Sequence, residues 1–483
     1  MARKKHRAVT PHHSRSKRVV SSAGPSARSF SSSVRFYAFL VILGLGVVLR
    51  LVVFFHMGYL NNDNHLEVIE YVANHWTPAR ADQFNQAYHP PLYYFLAAPL
   101  LRLGGVPAVH GLSLILSIAT LLLIAGVLWQ LPWIDEGSQP WCLALAAFHP
   151  QFIMFGLFVS NDTLAIFLGA LVFYQCRRFQ TAPSVYNSLV LGIWLGLGLL
   201  TKAVFLAFVL PLVLFVWIIV RQHEVGGPKI IYRLALFALV AGVLGSYKFV
   251  ENSIYFGNPM LSNLDLQIWA EEQRPTWIGF ESLLDFNLLK LVRDPVISSA
   301  TVHSYPLMIY GSFWYSLIPE STFYGNLIAP INRVGSMIYL VALCPTVLML
   351  IGAARSGIPA IRQFTPKAAA QNRDRYIYDG TLLLTFALNL LVILMVGWRQ
   401  DAWSVFQGRL LFPSYGALLM AFSGGIEWAR CSRLLINGVR SLMMALLFLF
   451  LVYLVIEIWL ANIYPQNPLR THHMPYTINM NAR

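Results

Sequence analysis

The chain has 483 residues, of which 57% are apolar and 12% are charged, and its mean hydropathy is +0.58. Soluble domains contain about 45 to 50% apolar and about 25% charged residues, so this composition excludes an ordinary soluble domain and indicates a polytopic membrane protein. Membrane topology and contact with anionic lipid explain the net charge of +14, and we therefore predict no nucleic-acid partner.

The amino-terminal segment 1–35 is basic and rich in serine. It contains nine lysine and arginine residues, no acid and few large apolar side chains, so we expect a disordered tail. Because positive charge is retained on the cytoplasmic side of a membrane, the same segment fixes the amino terminus in the cytoplasm. Residues 57–60 offer no small-residue cleavage site, which argues against a cleavable signal peptide.

Eleven apolar segments then follow, and they predict an all-α protein with about 11 transmembrane helices. A helix that crosses the hydrocarbon core needs roughly 20 largely apolar residues. The run from Ser188 to Val220 is interpreted as two helices broken near Thr201-Lys202, because a single helix would span about 50 Å. The segments are approximately Phe36 to Met57, Val109 to Leu131, Trp141 to Val159, Thr163 to Cys176, Ser188 to Leu200, Ala203 to Val220, Tyr232 to Tyr247, Ser336 to Ala354, Tyr378 to Trp398, Leu410 to Ile426 and Leu434 to Trp459.

The charges between these segments agree with a cytoplasmic amino terminus. Predicted inner loops carry arginines, such as Arg177 and Arg373, whereas the first outer loop holds more acids than bases. One inner loop, 132–140, departs from this pattern with two acids. We expect one transmembrane domain over 36–460 and an extracytoplasmic tail over 461–483.

Two predicted outer loops, 58–108 and 248–335, are too long to be turns, and we expect short interfacial helices in both. In the first loop, the stretch from Leu66 to His75 is amphipathic and is expected to lie on the membrane surface. Its apolar stripe consists of Leu66, Ile69, Val72 and Ala73.

The second outer loop is dense in aromatic residues. They are typical of an interfacial belt, and equally of a surface on which sugar rings stack. The set comprises Trp269, Trp277, Phe280, Phe286, Tyr305, Tyr310, Phe313, Trp314, Tyr315, Phe323 and Tyr324.

Asp63 follows the first helix by a few residues, on the predicted outer side. A carboxylate there could accept a proton from an attacking hydroxyl; the plainer alternative is a loop acid that caps the helix starting near His65. His65 and His89 could bind a phosphate or a metal, and Glu67 could equally belong to a solvated helix face. These acids and histidines do not form a compact ligand cluster, so the signal for a metal site is weak. We predict no cofactor and leave a divalent metal as an open alternative.

Other outer boundaries also carry polar residues. Asn161-Asp162 lies between the third and fourth segments, Lys202 between the fifth and sixth, and Gln407 and Arg409 lie before the tenth. Lys202 and Arg409 are cations on the side where few are expected. They either reach toward lipid phosphates or bind an anionic substrate.

Two further observations concern the helices themselves. Arg50 lies near the outer end of the first helix, and we expect it to join the outer cations. Cys142, Cys176 and Cys431 fall near cytoplasmic ends and Cys344 lies inside a helix, so we predict neither a disulfide nor a cysteine metal site.

Five short motifs follow one another along the chain: Tyr88-His-Pro-Pro-Leu-Tyr-Tyr94 after an acidic first outer loop, Val159-Ser-Asn-Asp162, Gly198-Leu-Leu-Thr-Lys202, Tyr255-Phe-Gly-Asn-Pro259 and Gln407-Gly-Arg-Leu-Leu-Phe-Pro413. Together they resemble the GT-C superfamily of glycosyltransferases that use polyprenyl-phosphate sugars, and in particular the bacterial relatives of protein O-mannosyltransferases and aminoarabinose transferases. The resemblance extends from Phe36 to about Glu427.

The resemblance implies roles for single residues. Asp63 matches the first-loop general base, Asp162 the second outer acid, and Lys202 the cation near the donor phosphate. Tyr93 and Tyr94 match residues that line the cavity. Many relatives carry two adjacent acids in the first loop, whereas asparagines flank Asp63 here and leave Glu67 as a substitute.

The predicted function is therefore a membrane glycosyltransferase of the plasma (inner) membrane with an extracytoplasmic active site. Its partners would be membrane lipid, a lipid-linked sugar donor, and an acceptor that is a glycan, a lipid or a protein. A multi-pass transporter or lipid flippase is the alternative, although its site is expected near the bilayer midplane. A non-catalytic scaffold is a third class, in which Asp63, Asp162 and Lys202 would be freely replaceable.

Overall fold

The computed structural model describes residues 26–57, 63–223, 227–266, 279–295, 301–315, 328–363, 372–400 and 405–463. All regular secondary structure in these ranges is helical. The protein is an all-α, polytopic integral membrane protein. Its α-helices are α1 Ser26–Met57, α2 His65–His75, α3 Leu92–Gln130, α4 Gln139–Phe148, α5 Pro150–Leu157, α6 Asn161–Thr181, α7 Val185–Leu199, α8 Leu206–His223, α9 Gly227–Gly245, α10 Tyr247–Phe256, α11 Leu288–Arg293, α12 Tyr305–Trp314, α13 Ile328–Val341, α14 Leu343–Gln363, α15 Arg373–Gln400, α16 Tyr415–Ala429 and α17 Arg433–Ile463.

Each of the eleven predicted segments coincides with helical structure, but not each is a full span. Among the described residues, eight helical stretches are long and apolar enough to cross a membrane, or nine if α4 and α5 count as one bent span. The difference from about 11 arises at α6, whose last turns are polar, and at α7, which has only 15 residues. The predicted break near Thr201-Lys202 is confirmed, because α7 ends at Leu199 and α8 begins at Leu206.

Proline bends the chain between α4 and α5 by 53°. Pro150 has no N–H to donate to the Ala146 carbonyl, four residues earlier. The guanidinium of Arg50 supplies the missing donor, because Nη2 lies 3.3 Å from Ala146 O and Nη1 lies 3.1 Å from Ala147 O. Arg50 is completely buried and also donates to Ser117 Oγ. The expectation that Arg50 joins the outer cations was wrong, since it completes a broken helix instead.

Glycines bring two pairs of elements into close contact. A side chain at Gly352 in α14 would collide with the Ala421 carbonyl of α16, and one at Gly169 in α6 would collide with the Pro413 carbonyl. Small residues let helix backbones approach closely in membranes. The second contact matters for the site, because Pro413 belongs to the short 3-10 helix Gly408–Ser414 that carries Arg409.

The predicted first outer loop packs on the protein. Its amphipathic stretch is helical, as α2, but the stripe of Leu66, Ile69, Val72 and Ala73 is buried as α2 packs against α3, so this face does not lie on the membrane surface as expected. Lys248 in α10 fixes the position of this loop at Ala79. Its Nζ donates to Ala79 O at 3.0 Å and pairs with Glu251 at 2.5 Å.

Much of the aromatic set of the predicted second outer loop is buried inside the protein. Tyr305, Tyr310, Phe313, Trp314 and Tyr315 are buried, whereas Phe280 and Phe286 are exposed. The interpretation as an interfacial belt therefore does not hold for the buried five. Trp269, Trp277, Phe323 and Tyr324 lie outside the described residues.

The first helix begins earlier in the chain than predicted. Helix α1 begins at Ser26, inside the segment expected to be a disordered tail. Residues 1–25 and 464–483 lie outside the described residues, so the predicted domain boundaries stay predictions.

Candidate functional site

Asp63 and Arg409 form a two-point ion pair at one end of the helix bundle. Arg409 Nη1 lies 2.5 Å from Asp63 Oδ2, and Nη2 lies 3.2 Å from Oδ1. Asp63 does not cap the helix that follows it, since the residue preceding α2 is Asn64 in a left-handed conformation with φ of 53° and no side-chain cap. The side chain of Asp63 therefore forms an ion pair with Arg409 and does not cap α2.

Asp162 links this pair to Lys202 through its two oxygens. Its Oδ1 contacts Lys202 Nζ, and its Oδ2 lies 3.5 Å from Arg409 Nη1. Asp162 lies in the first turn of α6, where Ser160 caps the helix by accepting from the Asp162 N–H at 3.0 Å. A helix amino terminus favours a negative charge, so the position of Asp162 suits a carboxylate.

Local structure also places the two cations. Lys202 lies in the break between α7 and α8, where its backbone N–H donates to Gly198 O. Arg409 follows Gly408, whose N–H donates to Ser312 Oγ at 2.7 Å, and its guanidinium lies 5.1 Å from the centre of the Phe155 ring. The cations are thus fixed by backbone bonds and packing, and not only by the acids.

The four charges form a compact, buried and neutral group, which we call the acid–cation cluster: Asp63, Asp162, Lys202 and Arg409. No side chain in it is more than 13% exposed, so its ion pairs are poorly screened by water. Burial alone would raise the pKa of Asp63, but the Arg409 charge and hydrogen bonds outweigh it, with help from His65 and Lys202, and lower the pKa to about 2. Asp63 is therefore ionised at neutral pH.

His65 lies beside the cluster in a defined tautomer. The Tyr94 hydroxyl has one proton, which it donates to Gln86 O at 3.0 Å, and His65 Nδ1 lies 3.0 Å from the same hydroxyl. His65 Nδ1 must then carry the proton and donate it, which leaves Nε2 as an acceptor. Burial lowers the pKa of His65 to about 4, although Asp63 opposes this. The imidazole is neutral at physiological pH.

Other predicted site residues surround this histidine. His89 stacks on His65 with ring centres 5.8 Å apart, and Tyr93 lies edge-on at 6.4 Å. Burial lowers the pKa of His89 well below its usual value. Asn161 donates to Thr201 O at 3.4 Å, while its buried Oδ1 has no hydrogen-bond partner among the described residues. An acceptor atom without a donor at this position could bind a substrate hydroxyl.

Three predicted residues are not brought into the cluster. Glu67 is exposed on the outer face of α2, as the alternative of a solvated helix face supposed. Arg50 lies at the Pro150 bend. Gln407 is half-buried just before the 3-10 helix, and its backbone N–H donates to Val405 O.

The described residues contain no group of three histidine, cysteine, aspartate or glutamate side chains arranged to hold a metal ion. All four cysteines are free thiols, and Cys142 and Cys176 are buried.

Lys248 and Glu251 are relevant residues that were not predicted. Lys248 pairs with Glu251 and donates to Ala79 O, and so holds the segment that leads to His89. Like Lys202, Lys248 is a cation on the predicted outer side. The rule that singled out Lys202 would have found Lys248 as well.

Comparisons with known proteins give weak likenesses only. No protein-family model and no curated protein matches the chain. The chain is similar to the crystal structure of ArnT from Cupriavidus metallidurans bound to undecaprenyl phosphate, with 14% identity, a TM-score of 0.34, and coverage of 84% of this chain and 79% of that chain. For the apo state of ArnT from the same organism, the identity is 15%, the TM-score 0.34, and the coverage 84% and 80%. Values this low assign no substrate and no residue role.

Proposed function

We propose that this protein is a glycosyltransferase that moves a sugar from a polyprenyl-phosphate donor to a protein, lipid or glycan acceptor at the extracytoplasmic face of the plasma membrane. One observation carries the proposal: two acids and two cations from four distant parts of the chain lie in one buried cluster at the end of the bundle. The donor class follows from the motifs that resemble the GT-C superfamily.

Lys202 and Arg409 would bind the donor phosphate. Both lie at the start of short helices between the long apolar ones, where the phosphate of a membrane-embedded lipid would be within reach. A guanidinium offers two parallel N–H donors to a phosphate. In the resting site Arg409 is occupied mainly by Asp63, so the phosphate would compete with this carboxylate and draw Arg409 away from it, while Lys202 stays beside Asp162.

That exchange explains how Asp63 could act as the general base. A carboxylate paired with Arg409 is a weak base, because its pKa is about 2. Once Arg409 turns to the phosphate, the Asp63 carboxylate becomes more basic and accepts the proton of the acceptor hydroxyl. The acceptor oxygen then bonds to the anomeric carbon while the bond from that carbon to the phosphate oxygen breaks. Polyprenyl phosphate leaves, and the anomeric centre is inverted.

Asp162 and the neighbouring polar side chains would position the reactants. Asp162 holds Lys202, while the acceptor atoms His65 Nε2 and Asn161 Oδ1 could accept hydrogen bonds from hydroxyls of the sugar or acceptor. These contacts would orient the reacting atoms without taking part in proton transfer.

The position of the cluster favours an enzyme over a transporter or flippase. Transport sites are expected near the bilayer midplane, at the interface of repeated halves. Here Asp162 lies in the first turn of α6 and Lys202 lies beyond the end of α7. Both charges are at helix ends, where a lipid phosphate and a water-borne acceptor can meet.

The test is turnover of a lipid-linked sugar by the purified protein in nanodiscs. Polyprenyl-phosphate glycosides of several sugars are supplied, and the release of polyprenyl phosphate is measured with candidate acceptors and with none. Release that requires Asp63 and Lys202 supports the proposal. If vesicles move the intact glycoside across the membrane while no variant or wild-type protein cleaves it, the protein is a flippase.

A further inference from the structure

A second site lies at the far end of the helices that carry the acid–cation cluster. Helix α6 begins at Asn161 and reaches Arg177 fifteen residues beyond Asp162, a distance of about 22 Å at 1.5 Å per residue. Helix α8 follows Lys202 and ends at Gln222-His223. The two ends of these helices therefore present different groups of polar residues, and the second group has no part in the proposed transfer.

This second group lines a cavity of about 650 Å³. The loop after α3 contributes Trp133, α6 contributes Arg177, and the end of α8 contributes Gln222. The start of α15 contributes Arg373 and Arg375. These four elements surround one opening, which we call the arginine pocket. The predicted topology places all four on the same side of the membrane.

Hydrogen bonds fix the walls of the arginine pocket. Gln180 Nε2 donates to Asp374 O at 2.7 Å, and Gln180 Oε1 accepts from Arg177 Nη1 at 3.1 Å. The guanidinium of Arg177 lies 5.0 Å from the centre of the Trp133 ring. The end of α6 and the start of α15 are therefore held together, with Arg177 in a defined position.

The donors of the pocket exceed its acceptors. Arg375 is paired with Glu427 at 2.8 Å and with Asp379 at 3.5 Å. Neither Arg177 nor Arg373 has a carboxylate within salt-bridge distance among the described residues, and the exposed Asp374 is the one acid in the lining. Arg373 Nε and Gln222 Nε2 are buried without a hydrogen-bond partner in the described part of the chain. Buried donors without acceptors are costly, and an anion would satisfy them.

Backbone geometry adds to the attraction for an anion. Helix α15, with 28 residues, begins at Arg373 directly at the opening. The first N–H groups of a helix have no partner within the helix, and its dipole favours negative charge. His223 donates Nδ1–H to Ile219 O at 2.9 Å, which leaves its Nε2 as an acceptor for a protonated ligand oxygen.

We propose that the arginine pocket is a binding site for a phosphate group, held between Arg177 and Arg373 with Gln222 as a further donor. Basic pockets between transmembrane helices bind the head groups of anionic lipids, and the same donors would bind free phosphate. The site is independent of the proposed transferase activity, because it lies at the other end of the bundle.

The experiment measures binding to the delipidated, full-length protein by native mass spectrometry and by thermal stabilisation. Short-chain phosphatidylglycerol tests the lipid source, inorganic phosphate tests the free source, and diacylglycerol of the same chain length, which lacks a phosphate, is the uncharged comparison. We expect saturable binding of one or both anionic probes and none of diacylglycerol. Saturation by lipid alone assigns a head group; saturation by inorganic phosphate assigns a free anion.

The variant Arg177→Gln/Arg373→Gln should weaken that binding by about tenfold or more, since it removes two charge-assisted contacts. Its matched control is Arg178→Gln/Arg355→Gln, which removes the same charge from exposed positions outside the pocket and should leave the affinity unchanged. The uncharged substitution Gln222→Leu removes a donor at constant charge and should weaken binding several-fold.

Two results would overturn the proposal. One is the absence of saturable binding of either anionic probe to the wild-type protein. The other is an equal loss of affinity in Arg178→Gln/Arg355→Gln and in Arg177→Gln/Arg373→Gln, together with wild-type affinity in Gln222→Leu, which would assign the binding to diffuse charge. Size-exclusion profiles establish that each variant is folded, and Gln222→Leu carries the test if the double variant is not.

Discussion

Arg409 and Asp63 are 346 positions apart in the chain and yet share two hydrogen bonds. Neither residue lies in a regular α-helix, so their meeting depends on the packing of several helices around them. The pair brings the loop that precedes α2 to the short helix that precedes α16. It is the contact on which the proposed proton transfer depends.

Asp63→Asn should lower the rate of sugar transfer by about 10² to 10⁴, the usual contribution of a general base. The amide is similar in size but cannot accept the proton of the acceptor hydroxyl. Transfer from a polyprenyl-phosphate donor measures this. Asp82→Asn is the control, because Asp82 lies between α2 and α3 and pairs with Arg80 at the surface. Equal activity in the two variants would exclude Asp63 as the base.

The Asp162–Lys202 pair should show strong coupling. Lys202→Met leaves Asp162 buried beside one cation fewer, and removal of one partner of a buried pair costs about 3 to 5 kcal/mol. The double variant Asp162→Asn/Lys202→Met should be less destabilised than Lys202→Met alone, because no unpaired charge remains. Thermal unfolding of the two single variants and the double variant checks this; additive losses would show that the pair is not coupled.

Stability should fall as the pH drops from about 6.5 to about 4, in part because of His65. The unfolded histidine, with a pKa near 6.5, binds a proton in this window, whereas the folded one, with a pKa of about 4, does not. The unfolded state therefore gains about 1.4 kcal/mol per pH unit relative to the folded state. His65→Gln should flatten this part of the unfolding temperature profile. His75→Gln, an exposed histidine of the same helix, should leave the profile unchanged.

Arg50→Met should reduce stability and spare catalysis. The substitution removes the donors to Ala146 O and Ala147 O at the Pro150 bend, and buried carbonyls without a donor cost about 1 to 3 kcal/mol each. We expect a lower unfolding temperature and an unchanged transfer rate per folded molecule. If Arg50→Met instead has normal stability and binds the sugar donor more weakly, Arg50 belongs to the substrate site.

The sequence predicted the helices well, because apolar segments of membrane-spanning length are a strong signal. The two helices between Ser188 and Val220 were separable on length alone. The count of full spans was less certain, since α7 is shorter than a bilayer is thick and α6 ends in polar residues. Length and hydropathy are properties of single segments, so they do not predict how neighbouring helices pack around a short helix such as α7.

The residues of the acid–cation cluster were predicted from the sign of their charge and from the side of the membrane on which the predicted topology places them. Asp63, Asp162, Lys202 and Arg409 were chosen as charges on the predicted outer side, and all four meet. Arg50 was chosen by the same rule and does not, because its role depends on a proline a hundred residues away. The tautomer of His65 could not be predicted either, since it is set by the Tyr94 hydroxyl and the Gln86 carbonyl together.

The neutrality of the acid–cation cluster has a consequence for selectivity. Its carboxylates are tethered counter-ions, held at high effective concentration next to Lys202 and Arg409. A dissolved anion such as chloride would have to displace them with its own charge alone, whereas the phosphate of the proposed lipid donor would be positioned by its anchor in the bilayer. If the protein is the proposed transferase, its carboxylates would shield the empty site from dissolved salts, and they would pair with Lys202 and Arg409 again after each departing lipid.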